Sequence, residues 1–365
     1  MQNSYQVIIV GAGPAGLASS LTLSAYKIPH CIIDANTTSV LKLGDALPPN
    51  SKPLLKQLGI LHLLISPEHI PYYGNKSVWG SEDVQEKEFI EGLHGSGFLL
   101  DRLHFENQLR NLIKKNKTNF YQGYQLKKVY DREDFVEALI QKDTKTTTLN
   151  SKYIIDATGR KASVARHLGA IKHDLDTQLT VSFWHQTPKK TPRQIWIEAT
   201  ENGWWYLSPK ATNEVNCMFF TLREVLPARN NMPMFLTKEL QKTRQIKTII
   251  KPTDIELSNY KIMASGTSCL EKPYGKNWLA VGDAAFSYDP ISSYGITSAL
   301  ASGFYGGHAI AAKLKKEEDA FITYRYIIEN GAKSYLKKLM HQYNMEQRWP
   351  NSTYWKNRLK QASLV

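Results

Sequence analysis

Apolar and polar positions near the N-terminus predict a strand, a tight turn and a helix in succession. Gln6 to Val10 form a short apolar run rich in β-branched residues, Gly11 to Gly16 contain three glycines, and apolar residues continue at helical spacing as far as Leu23. A second apolar run, His30 to Ile33, ends at Asp34. Together these segments form a βαβ unit of roughly 30 residues, the length typical of a nucleotide-binding fold.

The pattern changes in the middle of the chain. Between about Leu175 and Ile262, short aromatic-rich segments alternate between apolar and polar residues, which is typical of antiparallel strands. The α/β pattern returns at Trp278 to Gly282 and continues into a helix from about Gly295 to Leu314. A charged helical tail follows from Glu317 onward. The chain therefore reads as a nucleotide fold with an inserted antiparallel sheet.

Two further elements are predicted between these regions. Leu99 to Ile113 has the spacing of a helix with a basic end, and Tyr153 to Ala157 has the composition of a buried strand. No internal repeat interrupts this order.

Composition narrows the function classes. The chain has 365 residues, of which 42% are hydrophobic, and it contains no run of the roughly 18 to 20 apolar residues that a membrane span needs. We therefore expect a soluble cytoplasmic protein without a membrane partner. Its three cysteines, Cys31, Cys217 and Cys269, lie far apart, and their spacing predicts neither disulfides nor a metal site.

The net charge of +13 is the most informative part of the composition. A field of this sign steers acidic partners, including acidic proteins and anionic cofactors. The sequence contains no nucleic-acid-binding module, so we expect no nucleic-acid partner.

The glycine turn carries the first chemical signal. Gly11, Gly13 and Gly16 fit the G-x-G-x-x-G fingerprint directly after a strand and at the start of a helix. Gly11 permits the turn, Gly13 lets the backbone approach a pyrophosphate, and Gly16 allows close helix–strand packing. Asp34, at the end of the second strand, is placed to accept hydrogen bonds from ribose hydroxyls. This pattern predicts a dinucleotide site.

A second signal near the other end of the chain specifies the dinucleotide. Trp278 to Ala285 resembles the second FAD signature of the group A flavin monooxygenase superfamily. The resemblance implies that Asp283 binds the ribitol, that Gly282 lets the flavin chain pass, and that Arg102 lies near the FAD phosphates. The helix from Gly295 would then direct its positive end at the flavin pyrimidine.

The cofactor predicted is FAD, with NAD(P)H or reduced flavin as a transient electron donor left open. The full set of predicted FAD-binding residues is Gly11, Gly13, Ala15, Gly16, Asp34, Ala35, Arg102, Gly282, Asp283, Pro290, Ser293, Gly295 and Ile296.

The fold class predicted is α/β: a Rossmann-type, glutathione-reductase-like FAD-binding domain with an inserted antiparallel β-sheet substrate domain and a helical C-terminal tail. We assign residues 1–70, 95–174 and 263–316 to the FAD-binding domain and residues 71–94 and 175–262 to the substrate domain. Residues 317–365 form the C-terminal helical segment.

Three segments resemble the flavin-dependent tryptophan halogenases: Gly44 to Pro49, Gly203 to Pro209 and Asp289 to Gly295. Tyr294 stands where a small hydroxyl residue would neighbour the halide, which disfavours a chloride pocket. The halogenases also use a lysine that carries the oxidant. Lys76 is the nearby candidate, and a surface-loop lysine without that role is the simpler interpretation.

Length and pattern more closely resemble the flavoproteins that mature lysine and glycine oxidases containing cysteine tryptophylquinone. This likeness covers most of the chain. It implies an FAD-dependent monooxygenase that hydroxylates a tryptophan side chain of a precursor protein through a flavin C4a-hydroperoxide. The partner implied is the precursor of a quinone-cofactor oxidase, with an acidic surface.

The same resemblance suggests which side chains meet the substrate. Asp45 and Asp289 are the candidate catalytic bases, although a loop-capping role suits each equally well. The candidate substrate contacts are Pro48, Trp204, Trp205, Tyr206 and Tyr294, although the strand aromatics could instead pack the sheet. Two other functions remain open, a small-molecule aromatic hydroxylase or halogenase and an FAD-stabilised chaperone of a precursor.

Overall fold

A computed structural model describes residues 4–38, 44–89, 92–251 and 260–362. The parts of the predicted domain ranges that fall on other residues lie outside the described chain. The strands are β1 (Ser4–Val10), β2 (His30–Asp34), β3 (Ala46–Leu47), β4 (Ile70–Tyr72), β5 (Gly74–Val78), β6 (Gln85–Glu88), β7 (Gly97–Leu99), β8 (Asn119–Gln122), β9 (Gln125–Asp131), β10 (Val136–Lys142), β11 (Lys145–Asp156), β12 (Lys172–Asp174), β13 (Leu179–Gln186), β14 (Ile195–Thr200), β15 (Gly203–Pro209), β16 (Glu214–Thr221), β17 (Lys261–Ala264), β18 (Ser268–Leu270), β19 (Trp278–Ala280) and β20 (Phe286–Ser287). The α-helices are α1 (Pro14–Ala25), α2 (Lys52–Gln57), α3 (Arg102–Lys115), α4 (Ser163–His167), α5 (Met232–Gln241), α6 (Ile246–Ile249), α7 (Gly295–Leu314), α8 (Ala320–Asn344) and α9 (Thr353–Ala362).

The first large sheet carries the nucleotide fold. Its strand order is β8-β2-β1-β11-β10-β9, and β19 also pairs with β11. Strands β8, β2, β1, β11 and β19 run parallel, whereas β10 and β9 are antiparallel additions. The C-terminal half of β1 is buried on both faces because one apolar cluster, which includes α1, α3 and α7, covers one face and a second cluster covers the other.

The second large sheet is the insertion. Its strand order is β17-β13-β16-β15-β14-β5-β6, and every pair is antiparallel except β14 with β5. Two small sheets, β12-β18-β20 and β3-β7-β4, flank the large ones. The predicted α/β fold with an inserted, largely antiparallel sheet and a helical C-terminus is confirmed.

Several predicted elements differ from the structure at their edges. The helix expected from Leu99 begins instead at Arg102, because Leu99 belongs to β7 and Asp101 caps the helix by accepting a hydrogen bond from the His104 N–H. The predicted domain boundary after residue 70 falls inside β4, and the boundary after residue 262 falls inside β17. Helix α7 has the predicted bounds.

Two surveys of the described residues bear on function. None of the helices in these ranges combines the length and apolar character needed to cross a bilayer. No group of three or more His, Cys, Asp or Glu side chains in these ranges is arranged to hold a metal ion.

Candidate functional site: the FAD cavity

A cavity of about 910 Å³ lies where the two large sheets meet. One side is lined by the glycine turn after β1, the ends of β2 and β11, and the start of α3. The other side is lined by Tyr206 and Met218 of the inserted sheet and by the start of α7. The cavity therefore joins the predicted nucleotide site to the predicted substrate sheet.

The glycine turn is shaped by close backbone approach. Gly11 has a φ of +106°, and a β-carbon there would lie 2.7 Å from the Ala157 carbonyl carbon and closer still to its oxygen. Gly13 precedes α1 in an extended conformation, with no side chain capping the helix. The first N–H groups of α1 thus remain available for an anion. Gly13 and Ala15 line the cavity, whereas Gly16 packs against the Gly11 carbonyl.

The end of β2 carries a buried ion pair. Asp34 Oδ2 accepts a 2.5 Å hydrogen bond from Arg110 Nη2, and Oδ1 accepts one of 2.9 Å from the Asn36 N–H. Arg110 also donates to the Ala12 carbonyl. Asp34, its neighbour Ala35 and Arg110 all line the cavity. The guanidinium therefore holds the carboxylate that we predict binds ribose.

Sequence reasoning did not identify Arg110. A signal was available, because the buried positions of α3 include residues 106, 109, 110 and 113, the spacing of an inward helix face. An arginine on such a face requires an acidic or anionic partner.

Arg102 opens α3 at the cavity wall. Its Nη1 donates to the Gly44 carbonyl at 2.7 Å, and its Nη2 lies 2.8 Å from Glu106 Oε1. These two contacts hold the guanidinium at the wall, close to the turn that precedes Asp45. The predicted role near the FAD phosphates is compatible with this position and stays a prediction.

The second FAD signature meets the first inside the fold. Gly282 has a φ of +61°, and a β-carbon there would lie 2.7 Å from the Ala15 side chain. Its N–H donates to Ser302 Oγ of α7 at 2.7 Å. Asp283 lines the cavity and pairs with Arg160, whose Nε lies 3.7 Å from Asp283 Oδ2. Arg160 was missed as a site residue, although the Gly159-Arg160 turn directly after β11 was a local signal.

The loop before α7 forms the end of the cavity where we predict that the flavin binds. Asp289 starts a short 3-10 helix over Pro290–Ser292, and Ser293 follows with a φ of +51°. Pro290, Ser293, Gly295 and Ile296 line the cavity. No side chain caps the N-terminus of α7, so its N–H groups and positive dipole end are free to face an acceptor. We call residues 289–293 the flavin loop.

Tyr294 lies beside this loop but is not part of the cavity wall. Its hydroxyl accepts a 3.2 Å hydrogen bond from Asn50 Nδ2, which links it to the segment after Asp45. Pro48, in the same segment, is half-buried and also lies off the wall, where its carbonyl accepts from the Ser51 hydroxyl. Their predicted substrate contacts require a substrate that extends beyond the cavity.

Asp45 is buried in a cluster of donors. Its oxygens accept hydrogen bonds from Tyr206, Ser208 and Asn216, at 3.2, 2.5 and 3.4 Å respectively. Burial raises the pKa of Asp45, although these hydrogen bonds and Arg102 oppose the shift. Asp45 does not line the cavity, but Tyr206 does. The Tyr206 hydroxyl therefore links Asp45 to the cavity.

Asp289 is equally enclosed. One carboxylate oxygen accepts from the Ile291 N–H at 2.9 Å, and the other accepts from Gln178, Tyr343 and Arg358. Burial raises the pKa of Asp289, and the Arg358 charge opposes that shift. These contacts are the ones expected if Asp289 caps the loop, which is the alternative to its role as a base. The role of Asp289 as a base remains a prediction.

The two adjacent tryptophans of β15 do not reach the cavity. Side chains alternate along a strand, so Trp204 enters one core and Trp205 the opposite one. Trp204 stacks on Phe220 at 3.9 Å between ring centroids, and both indoles are fully buried. Neither tryptophan lines this cavity, and their predicted contact with a substrate stays a prediction. Tyr206, two residues on, shares the face of Trp204 and does line the cavity.

Comparison with known proteins agrees with this geometry. Residues 4–331 match the family model described as FAD binding domain. This chain belongs to that family. It is an FAD-dependent oxidoreductase, and FAD is its cofactor.

Three individual proteins resemble this chain. LodB of Marinomonas mediterranea, named as an FAD-dependent oxidoreductase, is 26% identical over an alignment of 364 residues that covers 97% of this chain and 97% of LodB. The structure of the myxobacterial chondrochloren halogenase CndH superposes with a TM-score of 0.89 at 17% identity, covering 98% of this chain and 86% of the halogenase. The peptidyl tryptophan dihydroxylase QhpG, essential for tryptophylquinone cofactor biogenesis, superposes with a TM-score of 0.78 at 18% identity, covering 97% and 78%. The fold is thus the one that flavin-dependent halogenases and monooxygenases share.

Proposed function

We propose that this chain is an FAD-dependent monooxygenase that hydroxylates a tryptophan side chain of a precursor protein during biogenesis of a tryptophylquinone cofactor. The observation that carries the proposal is one continuous cavity, which runs from the FAD-binding glycine turn to an apolar wall of Tyr206, Met218 and Phe220. An indole placed against that wall would lie beside the flavin loop. The similarity of nearly the whole chain to LodB, and of the fold to a peptidyl tryptophan dihydroxylase, supports this choice of substrate.

The residues of this chain would supply position and environment rather than the oxidation itself. Reduced FAD supplies the two electrons with which dioxygen inserts one oxygen atom into an aromatic C–H and releases the other as water. The apolar wall would orient the ring and exclude water from it. Tyr206 supplies the polar group of this wall. Its hydroxyl donates a hydrogen bond to Asp45, whose carboxylate can accept a proton. We propose Asp45 as the base that acts through it.

Charge supports a protein substrate. The chain carries a net charge of +13, which favours encounter with an acidic partner. The proposed partner is therefore the acidic precursor of a quinone-cofactor oxidase.

The decisive experiment is co-expression of this protein with such a precursor, followed by mass spectrometry of the precursor's tryptophan peptide. We expect a gain of roughly 16 Da for each oxygen atom inserted. The gain should disappear with Asp283→Ala, which removes the proposed ribitol partner. It should persist with Asp134→Ala, because Asp134 is an exposed residue of the turn between β9 and β10 and does not line the cavity.

Two further measurements separate a protein substrate from a small molecule. Precursor modification should slow steeply with added salt, because screening shortens the field to about 8 Å at physiological ionic strength. Free tryptophan should be a poor substrate even at saturation, because it lacks the flanking surface whose binding energy positions the ring. An unmodified precursor together with efficient turnover of a small aromatic would refute the proposal.

A flavin-dependent halogenase is the second candidate, favoured by the superposition on CndH with a TM-score of 0.89. It requires a lysine that reaches the substrate. Lys76 does not lie in a surface loop, as the sequence suggested, but within β5, because residues 74–78 pair with two neighbouring strands. Its Nζ is 3.4 Å from Glu86 Oε1 on β6, and it does not line the cavity. Exposed pairs of this kind contribute little to stability.

We therefore predict that Lys76→Ala retains the activity of the parent protein within about twofold. The check is product analysis with chloride or bromide present, using Glu86→Ala as the matched variant that breaks the same ion pair. A halogenated product that vanishes with Lys76→Ala and survives Glu86→Ala would establish the halogenase function instead.

A further inference from the structure

A buried arginine from the last helix lies behind the flavin loop. Arg358 of α9 is 4% exposed, and its Nη2 donates to Asp289 Oδ2. Its Nη1 lies 3.0 Å from Asp176 Oδ1, and its guanidinium stacks over the Tyr343 ring at 4.1 Å from the centroid. The FAD binding domain model ends at residue 331, so this arginine lies in a part of the chain that the family match does not cover.

Other groups from the same C-terminal part complete the contacts of Asp289. The Tyr343 hydroxyl donates to Asp289 Oδ2 at 3.0 Å, and the Tyr335 hydroxyl accepts from the Asp289 N–H at 2.6 Å. Tyr354 donates to Gln178 Oε1 at 2.6 Å, and Gln178 in turn donates to Asp289. The carboxylate is thus fixed by α8 and α9 from several directions.

The cluster keeps a charged guanidinium. Burial lowers the pKa of Arg358, but the Tyr343 phenol and the two carboxylates outweigh this effect, and the net shift is upward. Burial likewise tends to raise the pKa of Asp176, yet the Arg358 charge and backbone N–H donors lower it overall. Removing Arg358 would leave two carboxylates facing each other without a cation.

Asp289 in turn fixes the residues that form the cavity wall, which follow it directly in the chain. The other oxygen of Asp289 accepts from the Ile291 N–H at 2.9 Å, which starts the 3-10 turn over Pro290–Ser292. Pro290 and Ser293 line the cavity. A shift of the Asp289 side chain would therefore move the wall that faces the flavin.

The same C-terminal segment also forms hydrogen bonds to the inserted sheet and to the residues that follow β5. Trp355 Nε1 donates to the Thr200 carbonyl of β14 at 2.9 Å. The Glu346 carboxylate accepts from the Gly80 N–H at 2.8 Å, and the Gln342 carbonyl accepts from Trp79 Nε1 at 2.7 Å. One segment thus joins the substrate-side sheet and the flavin loop.

We propose that residues 332–362 complete the flavin site, with Arg358 as a positioning residue that holds the flavin loop in its binding conformation through Asp289. The proposal goes beyond the proposed hydroxylation. It depends only on FAD binding, so it can fail or succeed whatever the substrate is.

The test compares four full-length variants. Arg358→Met removes the charge and the fork of donors, and Arg358→Lys keeps the charge but cannot bridge both carboxylates. Arg358→Met/Asp289→Asn removes both members of the Arg358–Asp289 pair, so that Asp176 is the one carboxylate left without its cation. Lys356→Met, an exposed lysine on the same helix, is the matched control. The readouts are the FAD dissociation constant from flavin fluorescence, the FAD-induced rise in Tm, and the visible circular dichroism of bound FAD.

For Arg358→Met we expect FAD to bind at least about tenfold more weakly, with an altered visible dichroism, because the loop loses its anchor. Arg358→Lys should be intermediate and Lys356→Met unchanged. In the double variant the apoprotein Tm should recover toward the parent value, while FAD binding stays weak. A recovered Tm together with weak FAD binding would show that Arg358 positions the loop and does not only stabilise the fold.

The proposal is overturned if the variants lower the apoprotein Tm while the FAD-induced rise in Tm, the FAD affinity and the visible dichroism stay at the values of the parent protein. If Arg358→Met does not fold, Arg358→Lys and the double variant carry the same comparison. Parent-like FAD affinity and dichroism in both of these would then refute it.

Discussion

Replacing Gly11 with alanine is expected to abolish FAD binding. The φ of +106° at this position is strained for any residue with a β-carbon, and the added atom would collide with the carbonyl of Ala157. Gly11 joins β1 to the turn that precedes α1, and its N–H donates to the Ile33 carbonyl at 2.7 Å. Relief of the collision must therefore move the turn away from β2 or β11, and the anion site at the start of α1 moves with it.

The measurement is FAD content and the FAD dissociation constant of the purified variant, with a loss of at least about a hundredfold in affinity expected. Gly59→Ala is the matched control. Gly59 also has a positive φ, +71°, but a β-carbon there would have no atom within 4 Å, and the residue does not line the cavity. It should cost about 1 kcal/mol of stability and leave FAD binding intact. A yellow Gly11→Ala protein with parent affinity would contradict this account of the turn.

The parts of the site that the sequence could predict are those in which a short segment determines its own geometry. The turn from Gly11 to Gly16 needs glycine partly for a local reason, the positive φ of Gly11, and its pattern can be recognised without the rest of the chain. The same holds for Asp34 at the end of β2 and for the start of α7 at Gly295. All three segments meet at one cavity in the structure.

The missed residues depend on contacts between distant parts of the chain. Arg110 meets Asp34 across 76 positions, and Arg358 meets Asp289 across 69. Helical spacing can place an arginine such as Arg110 on an inward face, but which carboxylate it meets is set only by how the elements pack. The short parallel pairing of β5 with β14 was hidden for the same reason.

Strand aromatics posed a different problem. The segment from Gly203 to Leu207 was correctly predicted as a strand, but alternation along a strand says only that neighbours point to opposite faces. Both faces of β15 are covered by apolar clusters, so Trp204 and Trp205 are buried in different cores. Which face also borders the cavity follows from the packing of the sheet against the nucleotide fold.

The position of Trp204 leads to the second large effect, a loss of stability on substitution with alanine. Trp204 is fully buried, stacks on Phe220 and has its ring centroid 6.1 Å from that of Trp79. Truncation of a buried tryptophan removes its transfer free energy and leaves a cavity, which together cost about 3–5 kcal/mol. Since a domain's free energy of unfolding is about 5–15 kcal/mol, Trp204→Ala should lower Tm by many degrees or prevent folding.

Denaturant unfolding of the FAD-bound protein measures this loss, with Trp184→Ala as the matched control. Trp184 is only half-buried on β13, where Lys210 Nζ lies over its ring at 3.2 Å from the centroid, and its removal should cost about 1 kcal/mol. Trp204→Phe tests the packing role directly, because it keeps an aromatic ring beside Phe220 while removing the indole. If Trp204 packs the sheet, Trp204→Phe should recover most of the stability and leave KM for the precursor unchanged. A raised KM at parent stability would instead restore Trp204 as a substrate contact, because only an interaction with the substrate changes binding without changing the free energy of unfolding.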